Sequence, residues 1–339
     1  MRAAHYLGQG VIDVQDVEER PPGPGEVKVA VAYTGICGTD LHVLHGAMDA
    51  RVTVPAVLGH EMSGRVAGVG PAVTGWAVGD PVTVMPLRWC GACPACRAGF
   101  THVCQRLVFV GIDAPGSLQQ HWNVPAELLV RLPGEVSLRD AALAEPTAVA
   151  VHDVRRAGLR QGESALVIGG GPVGLLVATV ARREGARILV SEPDDRRREL
   201  ASGLGFDVVD PASDVAEQVE VWTGGAGTHV AFEVSGSQQG LDVAVHALAV
   251  RGRLVVVGIH PERRQVDLFR VFWRELALLG ARVYERPDFD RAVALVAAGA
   301  VPADRLVSRV EPLESARAAF ESLAAGGQLK VLVECGPDA

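Results

Sequence analysis

Lysine is almost absent: Lys28 and Lys330 are the only two in 339 residues, and arginine supplies the rest of the positive charge. That skew reflects coding bias more than function. Aromatic residues are few, at 5%, and the net charge is −8. No basic cluster is interleaved with aromatics, which excludes a nucleic-acid-binding face. An uninterrupted apolar run of membrane length is also missing. The stretch 164–181 carries no charged residue, but Gly169, Gly170, Gly171, Pro172 and Gly174 punctuate it. That pattern predicts strand, turn and helix, not a membrane span. The chain opens M-R-A-A-H-Y-L without a secretory apolar region, so an oxidising compartment has no support and a soluble cytoplasmic protein is expected.

What is present starts with cysteine. Cys90, Cys93, Cys96 and Cys104 lie inside fifteen residues, C-G-A-C-P-A-C-R-A-G-F-T-H-V-C. Two-residue gaps let successive thiolates turn back on one point, and a zinc ion with four sulfur ligands requires that convergence. Disulfides are the alternative. With all four sulfurs used, no position is left for a substrate, and the site reads as structural.

The length allows about two domains. The first 146 residues read as short strands parted by Gly and Pro, among them 26–33, 63–69 and 81–85. From about Val151 apolar runs at 164–168, 187–191, 228–234 and 253–257 alternate with helical stretches at 173–184, 194–203 and 237–249. Such alternation predicts an open parallel sheet with right-handed crossovers. A helix near 288–298 and a last strand at 329–334 are expected to return to the first domain.

The run S-A-L-V-I-G-G-G-P-V-G places Gly169, Gly171 and Gly174 in the order G-x-G-x-x-G, directly after a strand and opening a helix. Gly169 permits the tight turn, Gly171 lets the backbone approach a pyrophosphate, and Gly174 lets helix and strand pack closely. Pro172 and Val173 start the helix whose free N–H groups face the phosphates. Glu192 ends the next strand, where a carboxylate accepts from ribose hydroxyls and repels a 2′-phosphate, favouring NAD over NADP. Arg196, Arg197 and Arg198 offer charge to that phosphate, or form a solvated helix face.

Three separated segments carry further metal ligands: Cys37 in G-I-C-G-T-D-L-H, His60 and Glu61 in G-H-E-M-S-G, and Glu145 in A-E-P-T-A-V. A lone Cys is usually a small core residue, and Cys335 reads that way. Cys37 differs, since it precedes Gly38 and the polar cluster Thr39, Asp40 and His42. Three protein ligands with one exchangeable position are what catalytic zinc requires.

These motifs, in this order, resemble the zinc-dependent medium-chain alcohol and polyol dehydrogenases over essentially the whole chain. The resemblance implies an α/β fold: a GroES-like β-rich catalytic domain at 1–146, with its structural-zinc lobe at 88–105, interrupted by a Rossmann NAD-binding domain at 147–282, and a C-terminal return at 283–339. Cys37 and His60 match the family's zinc ligands, Glu61 the glutamate that binds or swaps onto the metal, and Glu145 the acidic residue of the sorbitol, butanediol and threonine branches. Asp40 would orient His60. Thr39 would pass the alcohol proton to the cofactor ribose and His42 would hand it to solvent, with His45 the weaker candidate for that relay. Two zinc ions per chain, a small alcohol or ketone substrate and a homo-oligomer, tetramer ahead of dimer, are implied. The segment 116–122, G-S-L-Q-Q-H-W, departs from the polyol pattern at Gln119, Gln120 and His121, while 142–152 and 272–284 look like the butanediol branch. An NAD-dependent secondary-alcohol or polyol dehydrogenase is the first reading. Amino-alcohol oxidation of the threonine 3-dehydrogenase type and a zinc-containing dinucleotide-binding redox sensor are the alternatives.

Overall fold

A computed structural model describes residues 1–336. The chain divides into two compact units: Met1–Ala148 joined by the segment from Glu285 onward, and Val149–Tyr284.

The first unit is built on strands whose alternate residues are apolar. In Glu26–Gly35 the residues Val27, Val29 and Val31 point into the core together with Val66, Val82, Val84 and Trp122, the period-2 pattern of a sheet with one buried face. Seven strands share this sheet. Their order is Leu129–Arg131, Pro81–Val84, Glu61–Val69, Glu26–Gly35, Lys330–Glu334 and Val307–Pro312, with His121–Pro125 also pairing with Glu26–Gly35. The last strand of the chain thus lies in the middle of the sheet, antiparallel to Glu26–Gly35, with Leu332 opposite Gly35. Helix Ala316–Ala324 packs on the same core through Ala316, Ala319 and Phe320. A smaller sheet holds Val11–Asp16, Arg2–Gly8 and Ala56–Val57.

The second unit is a six-stranded sheet, ordered Asp207–Val209, Arg187–Ser191, Ser164–Ile168, Thr228–Glu233, Leu248–Val256 and Ala277–Gly280, with every pair parallel. The first strand in sequence, Ser164–Ile168, is buried at all five positions, as a strand covered by helices on both faces must be. The strand order reverses beside it, the position at which open sheets of this kind bind ligands outside their C-terminal strand ends. Helices Pro172–Arg183, Asp195–Gly203, Val215–Thr223 and Gln238–Ala247 supply the crossovers. Asp194, Asp214 and Ser237 cap three of them by accepting a backbone N–H three residues on.

Several elements were not expected from the sequence, or run differently. Strand Asp207–Val209 and helix Val215–Thr223 were not foreseen, since three residues and a charged nine-residue stretch give weak periodicity. The strand expected at 253–257 runs Leu248–Val256. Helix Ala144–Ala157 runs straight across the boundary expected after residue 146. Pro146 does not stop it, because a proline in the first helical turn removes only an N–H that has no intrahelical acceptor. Among the described residues no helix is long and apolar enough to cross a membrane.

Candidate metal centre and dinucleotide turn

The first unit gathers a cluster of ligating side chains from three places in the chain. Cys37 is the N-cap of helix Gly38–Leu44, and its N–H donates to Asp40 Oδ2 at 2.9 Å. Asp40 is wholly buried. Its other oxygen lies 3.6 Å from His60 Nδ1, so one carboxylate both caps the helix and faces the imidazole, leaving the other ring nitrogen for a metal. His60 directly precedes strand Glu61–Val69. The Cys37 sulfur, a His60 nitrogen and a Glu61 oxygen all lie within 4.8 Å of one another. Phe109, which carried no sequence signal, sets the edge of the imidazole at 5.0 Å between ring centres and 86°. Burial alone would pull the His60 imidazole down, yet Asp40, then Cys37 and Glu145, lift it to about 10. Burial in turn pushes the Asp40 carboxyl up, and a thiol, an imidazole and a carboxylate this close together form the donor set that a divalent ion takes.

Glu145 stands outside that trio. It is buried in the first turn of helix Ala144–Ala157, and its charge acts on both His60 and Lys330. Lys330, also unforeseen, places its ammonium 2.7 and 2.8 Å from the two oxygens of Glu61. Thr39 and His42 lie three apart on the helix that Cys37 caps, so they share a face. The Thr39 hydroxyl is 3.7 Å from the Cys37 sulfur, and His45 is the helix C-cap.

Cys90, Cys93, Cys96 and Cys104 are brought together as expected. All are free thiols, and three sulfur–sulfur distances are 3.5, 3.8 and 4.0 Å. A zinc–sulfur tetrahedron with bonds of about 2.3 Å has edges of roughly 3.8 Å. The fit is therefore to one ion and not to disulfides, whose sulfurs lie about 2 Å apart. Backbone N–H groups of Cys90, Cys93, Cys96 and Arg106 donate to these sulfurs at 3.3–3.4 Å, which favours thiolates. Cys335 packs at 2% exposure in the core.

The second unit carries the glycine turn. Gly169 has φ +107°, a region closed to ordinary side chains. A Cβ on Gly174 would lie 1.8 Å from the Gly169 carbonyl oxygen, while one on Gly171 would meet nothing within 4 Å. The first glycine thus allows helix against strand, and the second leaves open space over the N-terminus of helix Pro172–Arg183, where Pro172 and Val173 stand. Glu192 is buried, and its carboxylate accepts from Gly170 N–H at 2.5 Å and Asp194 N–H at 2.9 Å. Arg198 is occupied by the Glu192 and Pro193 carbonyls and by Asp195 and Asp210. Arg197 is half-buried, and its N–H donates to the capping Asp194.

The departing segment is packing. Gln119 donates to Gly116 O, Gln120 accepts from Arg2 N–H, and His121 faces Glu19 at 3.3 Å. None of the three is directed at the Cys37–His60 cluster by these contacts.

Residues 23–134 match the alcohol dehydrogenase GroES-like domain, and residues 172–298 match the zinc-binding dehydrogenase family. The chain belongs to the zinc-binding alcohol dehydrogenases. It is 48% identical to a 2-dehydro-3-deoxy-L-galactonate 5-dehydrogenase of Pseudoalteromonas atlantica over 100% of both chains. A zinc-binding dehydrogenase of Sinorhizobium meliloti, solved with NADP, superposes with a TM-score of 0.94 at 34% identity, covering 98% of each chain. The 2R,3R-butanediol dehydrogenase of Bacillus subtilis gives 0.91 at 32% identity, over 98% of this chain and 99% of that one. The protein is a zinc-dependent oxidoreductase that exchanges hydride between an alcohol or polyol and a nicotinamide dinucleotide.

Two substitutions separate the sites. Cys93→Ala should remove one of two zinc ions and lower the unfolding temperature by on the order of 10 °C; metal content and calorimetry report both, and unchanged unfolding would remove the structural role. Glu192→Ala should raise KM for NAD by about 10- to 100-fold and admit NADP, measured by initial rates with each cofactor; an unaltered cofactor ratio would refute the assignment.

Proposed function

We propose that this dehydrogenase acts on a secondary hydroxyl, or the corresponding ketone, of an open-chain sugar acid, with NAD as cofactor. The observation that carries the substrate class is the 48% identity, without a gap in coverage, to a protein named for oxidation at C5 of a deoxy sugar acid. The cofactor preference rests on Glu192, whose carboxylate stands buried against the glycine turn, and on Arg198, whose existing partners keep it from a 2′-phosphate.

In this reading Cys37, His60 and an acidic residue hold one zinc ion, and Cys90, Cys93, Cys96 and Cys104 hold the other. Bound zinc polarises the substrate oxygen and lowers its pKa, while the nicotinamide ring supplies the hydride acceptor. The chain's own residues do the rest. Asp40 orients His60, Phe109 packs its edge, and the Thr39 hydroxyl takes the proton from the substrate oxygen. His42, one turn further along the same helix, carries it outward, a task suited to an imidazole. The six free thiols suit a reducing, cytoplasmic setting.

A second copy of the chain completes the assembly. On helix Leu268–Trp273 the side chains of Leu268, Phe269, Phe272 and Trp273 are 70–74% exposed, and Phe269 stacks on Trp273 at 5.8 Å. They adjoin Ala277–Gly280, a strand with one unpaired edge. Four such side chains expose on the order of 500 Å², at the upper end of what a monomer leaves uncovered. A two-fold axis would pair the two edges antiparallel and bury the aromatics against their counterparts. The tetramer expected from the resemblance would need a further contact.

A panel of keto sugar acids, 2,3-butanediol, sorbitol and L-threonine, each with both cofactors, tests the substrate. The sugar acid should exceed the neutral polyols by at least about tenfold in kcat/KM; turnover of threonine alone would overturn the assignment. Phe272→Asp with Trp273→Asp should lower the sedimentation mass without loss of helical signal. An unchanged mass would place the interface elsewhere.

A further inference from the structure

The two lysines have opposite surroundings. Lys28 pairs with Glu19 near the surface, whereas Lys330 is 3% exposed. Its ammonium is 2.7 and 2.8 Å from the Glu61 oxygens and 3.1 Å from the carbonyl oxygen of Ile36. An ammonium has three protons, and these three acceptors use them all. Glu61 is confined on its other side as well. A Cβ at position 35 would come within 2.2 Å of Glu61 Oε2, so the carboxylate lies directly over the Gly35 backbone. Lys330 and Gly35 sit on adjacent antiparallel strands, and Ile36 N–H donates to Val331 O at 3.0 Å. The clamp on Glu61 is therefore part of the sheet itself.

Glu61 has two competing attractions. One of its oxygens lies within 4.8 Å of the Cys37 sulfur and the His60 nitrogen, close enough for a small movement to bring it onto an ion held by those two. Both oxygens instead face Lys330. Removing the ammonium would leave a buried carboxylate unpaired, the costliest arrangement open to it, and the nearest remaining cation would be the metal.

We propose that Lys330 is a positioning residue that holds Glu61 off the metal, so that a coordination position stays exchangeable for substrate. This rests on the reading of Cys37 and His60 as metal ligands. It makes Glu61 a displaced neighbour of the ion at rest.

The test uses the full chain with zinc retained at the four cysteines and cobalt(II) exchanged into the Cys37–His60 site. Visible absorption then reports coordination, and transfer to a chelator reports retention. Lys330→Met should change the cobalt bands and slow metal release by on the order of 10- to 100-fold, with a fall in kcat. Lys330→Arg should keep the wild-type bands, and Lys330→Met combined with Glu61→Gln should restore them. Glu61→Gln alone, which does not depend on Lys330→Met folding, should leave the bands unchanged. Altered bands in Glu61→Gln would show Glu61 to be a ligand at rest and overturn the inference, as would wild-type bands in a folded, cobalt-loaded Lys330→Met. A wild-type protein that takes up no cobalt at this site would instead sink the metal reading itself.

Discussion

The first unit is organised around a concentration of buried negative charge. Asp40, Glu61 and Glu145 are 0%, 1% and 4% exposed, Cys37 adds a thiol that ionises on a metal, and one ammonium, Lys330, stands against them. Carboxylates are rarely buried without compensation, because each loses its hydration in a medium that returns little of it. The arrangement persists only if cations are supplied. The rise of the His60 imidazole to about 10 against its burial is one expression of that field, and a bound divalent ion would be another. Glu61 and Lys330 lie on strands Glu61–Val69 and Lys330–Glu334, which flank Glu26–Gly35 in one sheet, so the electrostatics of that pair and the register of the core are the same problem.

The two groups of candidate metal ligands differ in how many side chains they bring together. At the four cysteines the sulfurs lie close together and backbone N–H groups surround the cluster, a set that would close the shell of a bound ion and leave it holding a loop. At Cys37 and His60 the third nearby group already has a partner. A shell that remains open can exchange ligands, and exchange is what lets an alcohol enter. The glycine turn of the second unit follows the same logic of enforced openness: Gly174 is forced by contact with Gly169, whereas Gly171 is free of contacts so that a ligand can come near.

Local spacing made much of this legible. Cys90 to Cys104 could be recognised as a metal lobe because all four ligands lie within fifteen residues, and Gly169, Gly171 and Gly174 because a turn between strand and helix is local. The strand Ser164–Ile168, buried throughout, and Arg187–Ser191, buried after its first residue, matched their predicted runs end to end. Helix Val215–Thr223 did not announce itself, since glutamates at 217 and 220 dilute its apolar face. Gln119, Gln120 and His121 looked like altered substrate contacts, but their partners are backbone and an acidic neighbour, information that residue type alone does not carry.

Chain order alone determined the inventory: which residues are thiols, where the backbone must turn, and which stretches alternate between strand and helix. Those properties depend on neighbours a few positions away, and short-range sterics and periodicity encode them. The pairing of Lys330 with Glu61 spans 269 residues and exists only because the final strand inserts beside Glu26–Gly35. Contacts of that separation are set by the packing of the whole sheet, and so only the three-dimensional structure decided that the Glu61 carboxylate meets a buried ammonium.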